Sequence, residues 1–102
     1  MANEKIIVQI DDEDILELIP DYLINRRNEL EVLQNAIAQN DFASLCSYGH
    51  KLKGSGGGYG FDRISEIGSN LESSAKAQNL PAIEQEVAEL RDYLDRVEVV
   101  GK

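Results

Sequence analysis

The chain has one cysteine, one histidine and two prolines among its 102 residues. A lone Cys46 cannot form an internal disulfide, which fits a reducing compartment. With His50 at i+4 from Cys46, two metal ligands are present, but a zinc site needs a third and usually a fourth. No apolar stretch exceeds a few residues, far short of a bilayer span, and no charged-then-apolar signal segment opens the chain. Positive charge is scarce too. Ten Lys and Arg stand against nineteen Asp and Glu, a formal charge of −9. Such a surface repels phosphate backbones and anionic lipid, so neither nucleic acid nor membrane is expected as a partner. What is present is ordinary globular composition, 42% hydrophobic and 28% charged, at a length that suits one domain. A cytoplasmic monomer is the expectation.

Both prolines sit where a helix would begin. Pro20 follows a short segment, residues 12–19, whose acidic start suits a helix N-terminus. From Asp21 a second helix is predicted to about Gln39, with Leu23, Leu30, Leu33 and Ile37 along one face. Asp41 is a good N-cap for the next segment, which carries Phe42, Leu45, Gly49 and Leu52 before the glycine-dense stretch Gly54–Gly60. Ile64, Ile67, Leu71 and Ala75 form a further stripe. After Pro81, suited to a first helical turn, Ile83, Val87, Leu90, Leu94 and Val97 follow at spacings of four, three, four and three. These four amphipathic segments predict an all-α fold: an antiparallel up-down four-helix bundle, with a short extra N-terminal helix capping one end. Residues 12–102 would form the bundle domain. Residues 1–11 would form an extended arm, since the β-branched run Ile6-Ile7-Val8 disfavours helix.

One stretch looks chemical. At about 100° per residue, His50 points roughly 130° away from the Phe42–Leu45–Gly49–Leu52 face, so its ring should meet solvent. Its helical neighbours Cys46, Ser47 and Gly54 are small, and Gly57 lies one turn further on. The imidazole therefore stands on a platform cleared for the approach of a second macromolecule. Each glycine costs roughly 1 kcal/mol in a helix interior, so packing alone does not explain them all. Lys53, at i+3, reaches the same space and would favour a neutral, nucleophilic ring and stabilise an attached phosphoryl group. Across the Asn40-Asp41 turn, His50 is level with residues near Glu31. Val32 lies there about 140° off its own apolar stripe, with Asn28 and Asn35 on the same side. These are candidate docking residues.

Other chemistries fit worse. Gly49 and Gly54 have Walker A spacing, but Ser55 follows directly and the lysine is missing. No GxGxxG motif or strand–turn–helix context for a dinucleotide is present, and a Cys46–His50 nucleophile pair lacks an orienting group. The string His50-x-x-Lys53-Gly54, a further glycine at Gly60, and Leu71-Glu72 on the following helix resemble the histidine-containing phosphotransfer (HPt) domain of multistep two-component phosphorelays. The resemblance covers about Asp12 to Val97; the N-terminal arm lies outside it.

The resemblance implies a phosphoryl carrier. His50 would accept the group from a receiver-domain aspartate and pass it to another receiver, with Lys53 neutralising phosphoryl charge and Gly54 clearing the approach. The partners implied are the receiver domains of a hybrid sensor kinase and of a response regulator. No cofactor is expected on this chain, since the Mg²⁺ would belong to the receiver, and no autonomous ATP-dependent kinase activity is expected. The alternative is a helical adaptor that binds receivers without carrying phosphate.

Overall fold

Asp12 starts the first helix: its carboxylate accepts the backbone N–H groups of Asp14 and Ile15 at 2.9 and 3.3 Å, two donors that the first turn would otherwise leave unpaired. The computed structural model describes residues 4–101, so the first three residues of the expected arm and Lys102 lie outside the described residues. From this cap, α1 runs without interruption over Glu13–Ala38. The expected break at Pro20, and with it a separate short N-terminal helix, is therefore corrected. Proline removes a hydrogen bond to residue i−4 and crowds that carbonyl, a cost of about 3 kcal/mol. Here Ile15 and Leu16 before it, and Ile19, Tyr22 and Leu23 around it, pack against one core, each fully buried side chain being worth roughly 1.5–3 kcal/mol. One apolar stripe runs through the proline, and the stripe wins. The proline itself is exposed.

The remaining boundaries follow local chemistry. Asn40 adopts a left-handed φ of 53° and closes α1. Asp41 then caps α2 (Phe42–Gly56), accepting the N–H and the hydroxyl of Ser44. Gly57–Tyr59 tightens into a 3₁₀ turn that ends on Gly60 at φ 92°. That positive φ is what requires glycine there, since the nearest atom to an added Cβ is only the tip of the Ile10 side chain. α3 (Asp62–Lys76) follows, and Asn79 caps α4 (Leu80–Arg96), with Pro81 in its first turn as expected. The fold is all-α in its main mass, with four α-helices among the described residues. Two short strands join it: β1 (Ile6–Gln9) and β2 (Val97–Val100) pair in parallel, Ile6 opposite Val97 and Gln9 opposite Val100. Residues Ile6–Gln9 are thus extended, which agrees with their β-branched run. Val97, however, continues the helical spacing only by coincidence. It is the first residue of β2, where Val97-Glu98-Val99-Val100 repeats the signal seen in β1.

The core is built mainly by α2, α3 and α4. Leu45, Leu52, Phe61, Ile64, Ile67, Leu71, Ile83, Leu90 and Leu94 are fully buried or nearly so. Its tightest joint lies between α2 and α3. A Cβ on Gly49 would come within 2.6 Å of Glu72 N, one on Gly68 within 2.5 Å of Lys53 N, and one on Gly56 within 2.6 Å of Ser65 N. Three glycines therefore let two helix backbones meet almost directly. Elsewhere side chains make the ties. Tyr22 OH and Ser55 Oγ share a hydrogen bond, and Tyr48 OH donates to Glu29, joining α1 to α2. Arg63 pairs with Glu89 at 3.0 Å, joining α3 to α4, and Arg27 donates to the Leu94 carbonyl, joining α1 to α4.

The seam makes a directional prediction. Gly68→Ala should destabilise the fold by about 2–3 kcal/mol, because its methyl meets backbone that cannot move aside. Gly54→Ala, with nothing within 4 Å of the new atom, should be neutral or stabilise by up to about 1 kcal/mol. Urea unfolding of the two variants checks the pair.

Candidate functional site

His50 is held by the middle of α2, one residue past the glycine that lets α3 come close. Its side chain is 72% exposed, so the sequence-based expectation of a solvent-facing ring agrees with the structure. The ring is nonetheless not free to turn. Its Nδ1–H donates to Glu72 Oε2 on α3 at 3.0 Å, and a carboxylate can only accept. In the neutral ring that contact fixes the tautomer: Nδ1 carries the proton, and the lone pair is on Nε2, the nitrogen not engaged by Glu72. Glu72 itself is tucked in, its side chain only 14% exposed.

Three cationic or donor groups converge on this one carboxylate. Besides His50, Lys53 Nζ lies 3.5 Å from Oε1 and Lys76 Nζ 3.8 Å from Oε2. Partial desolvation pushes the Glu72 pKa up, but the hydrogen bond from His50 and the charges of Lys76 and Lys53 outweigh it and hold the pKa below the usual carboxylate value. The carboxylate stays charged, which keeps the imidazole oriented. Glu72 stood in the sequence only as part of the string Leu71-Glu72. Its contact with His50 depends on the depth of the glycine seam, and glycine on both facing stripes was the available signal.

The other expected residues divide into two groups. Cys46 and Ser47 line a hollow of about 480 Å³ with His50 and Glu72. Ser47, Ala43 and Lys51 also border a second hollow of about 350 Å³, whose far wall is Val32. Val32 is 62% exposed, and it belongs to one surface with His50, as the level arithmetic across the turn predicts. Gly54 is exposed one turn along, and no atom lies near where its side chain would be. Asn28 and Asn35 are exposed on α1 but border neither hollow. Gly57 is exposed as well, but it lies two helical turns from His50, about 10 Å along the axis. Its N–H is used in the turn, donating to Ser65 Oγ at 2.7 Å. A further hollow lies elsewhere, between α4 and β1, and neither His50 nor Cys46 lines it. Among the described residues, no group of three or more His, Cys, Asp or Glu side chains is placed to hold a metal ion.

An exposed histidine with one unengaged nitrogen, a lysine one turn on and a bare glycine beside them are now in one place. A family model for the Hpt domain matches residues 17–99 of the chain. The chain belongs to the Hpt domain family. No match was found among curated proteins, nor among solved structures. Family membership supports a general role in histidine phosphotransfer within two-component phosphorelays, with receiver domains as the class of partner. The match takes in α1 from Glu17 onward, α2, α3, α4 and most of β2, and leaves β1 outside. No helix of this Hpt domain is long and apolar enough to cross a membrane among the described residues.

The lowered Glu72 pKa links the site to acid stability. A carboxylate depressed in the folded state contributes stability above its unfolded pKa and loses it as pH falls through the folded value. Wild-type unfolding midpoints should therefore drop as pH is taken below about 4.5, the ordinary glutamate value. Glu72→Gln should lose part of that slope while keeping an acceptor for His50. Urea midpoints across an acid pH series measure it.

Proposed function

We propose that this Hpt domain is a phosphorelay intermediate that accepts a phosphoryl group on His50 from a receiver-domain aspartate and passes it to another receiver. The observation that carries this reading is the His50–Glu72 hydrogen bond beneath an open Nε2. The lone pair of Nε2 attacks phosphorus as the P–O bond to the aspartyl carboxylate breaks. The carboxylate leaves with the bonding pair, and the ring becomes a phosphorylated imidazolium that keeps its Nδ1 proton. Glu72, already charged and 3.0 Å away, stabilises the positive charge that appears on the ring. Transfer to the second receiver runs the same step in reverse. Lys53 lies beside the ring and offsets phosphoryl charge, and Gly54 leaves the approach open. The Mg²⁺ that such transfer uses is assigned to the receiver, and catalysis by this chain is positioning and electrostatics.

The docking surface is assigned to Val32, Ser47 and Cys46 around the two joined hollows, with Asn28 and Asn35 flanking it on α1. The contacts of Tyr48 with Glu29, Gly49 with Gly68 and Arg63 with Glu89 support an antiparallel up-down arrangement of the helices. A cytoplasmic monomer, with residues 1–11 as an arm on a bundle of residues 12–102, completes the proposal. The donor would be the receiver of a hybrid sensor kinase, and the acceptor that of a response regulator. The alternative, an adaptor that binds receivers without carrying phosphate, needs no carboxylate under its histidine.

The test is incubation with a phosphorylated receiver, followed by assay for acid-labile, base-stable phosphate on this chain. His50→Gln should abolish labelling without unfolding, since a largely exposed ring adds little packing. Lys53→Ala should lower the transfer rate by about tenfold, the scale of one screened charge contact, and leave the end point reachable. Labelling of the His50→Gln variant would point to another acceptor, and a wild-type chain that binds receivers without being labelled would favour the adaptor.

Val32→Glu probes docking separately. It should raise the receiver concentration needed for half-maximal transfer by about tenfold, the cost of placing a charge in an apolar contact. Its unfolding midpoint should match that of the wild type.

A further inference from the structure

The open edge of β1 has no role in histidine chemistry. We propose that β1 is a docking edge that accepts an extended, basic segment of a partner protein as a third strand. Ile10 N–H donates to Val100 O at 3.0 Å, with Gln9 opposite Val100. In a parallel ladder this fixes the parity: Ile6, Val8 and Ile10 bond to β2, whereas Ile7 and Gln9 aim their N–H and C=O groups at the other edge. Outside the β1–β2 ladder, no hydrogen bond among the described residues reaches the main chain of Ile7 or Gln9. The outer edge of β2 is less free, because Val97 N–H already donates to the Tyr93 carbonyl.

Two further observations favour occupation. Two-stranded sheets are marginal alone, and parallel strands are normally covered on both faces. Here Ile7, 55% exposed, and Val100 put apolar side chains on the outer face, diagonally across from each other beside Gln9 and Glu98. Beside the strand, Ile6, Ala88 and Tyr93 line a hollow of about 640 Å³ along α4, rimmed by the paired charges of Arg63, Glu89, Asp92 and Arg96, which can receive inward side chains of an added strand.

Charge selects the occupant. Glu4 precedes the strand, Asp11, Asp12, Glu13 and Asp14 follow it, and Glu98 lies across from Ile7; all are exposed. The cations nearby are each paired already: Lys5 with Glu98, Arg63 with Glu66 and Glu89, and Arg96 with Asp92. A second copy of this chain would bring the same carboxylates against these, so self-pairing at this edge is opposed. A strand alternating aliphatic residues with Lys or Arg meets the main-chain groups, the apolar face and the charge together.

The probe is a short synthetic peptide of alternating lysine and valine, with a glutamate–valine peptide as its charge-reversed control. Titrated into the isotope-labelled full chain, the basic peptide should shift and protect from hydrogen exchange the amides of Ile7 and Gln9. The acidic peptide should not. Gln9→Pro removes one outward N–H and leaves the β1–β2 ladder intact. It should weaken peptide binding by about tenfold, as expected for blocked edge pairing, while phosphoryl acceptance on His50 is unchanged. Equal binding of both peptides, shifts centred on α1 near Val32, or an unaltered affinity in Gln9→Pro would overturn the proposal. So would concentration-dependent dimers of the chain alone that Gln9→Pro abolishes.

Discussion

Everything at the site depends on how closely α2 and α3 approach. Gly49, Gly56 and Gly68 remove the side chains that would hold the two helices apart, and the backbones come within van der Waals reach of each other. Only at that separation can a glutamate on α3 reach a histidine ring on α2 with its short side chain. The reactive geometry is thus set by what is missing from the seam. The conformational cost of the glycines, roughly 1 kcal/mol each, is offset by backbone contact along the joint and by the core side chains flanking it.

The seam also explains how an exposed residue can be ordered. An isolated surface histidine samples its rotamers and both tautomers. His50 is anchored from one side by a carboxylate that is itself packed and neutralised by Lys53 and Lys76. Three positive or donor groups around one anion form a small network rather than a single surface pair, and networks of this kind hold geometry better than isolated exposed pairs do. The nucleophile combines access with order because its partner, not the ring, is the tucked-in member.

Much of this was legible in the sequence, and the exceptions have physical causes. The outward direction of His50 and the level of Val32 follow from helical arithmetic alone, since both depend only on rise and twist. Pro20 was misleading because local propensity favours proline at helix starts, while Ile15, Leu16, Ile19 and Leu23 form a stripe whose burial overrides it. Val97 was misleading because a helical spacing and a strand can share their first residue. The β-branched run after it carried the same signal that identified the arm. Glu72 was visible as a letter but not as a contact. Its distance from His50 is a tertiary quantity, readable only once Gly49 and Gly68 are recognised as facing each other.

The pairing of β1 with β2 has a mechanical consequence. The strands are parallel, and they come from opposite ends of the described chain. Tension applied across those ends would pull the strands in opposite directions along their own length, loading the ladder hydrogen bonds together in shear rather than peeling them one by one. The helices would feel that force only after the ladder slipped. A sheet of two four-residue strands thus acts as a clasp on the helical core, and the His50–Glu72 geometry lies behind it.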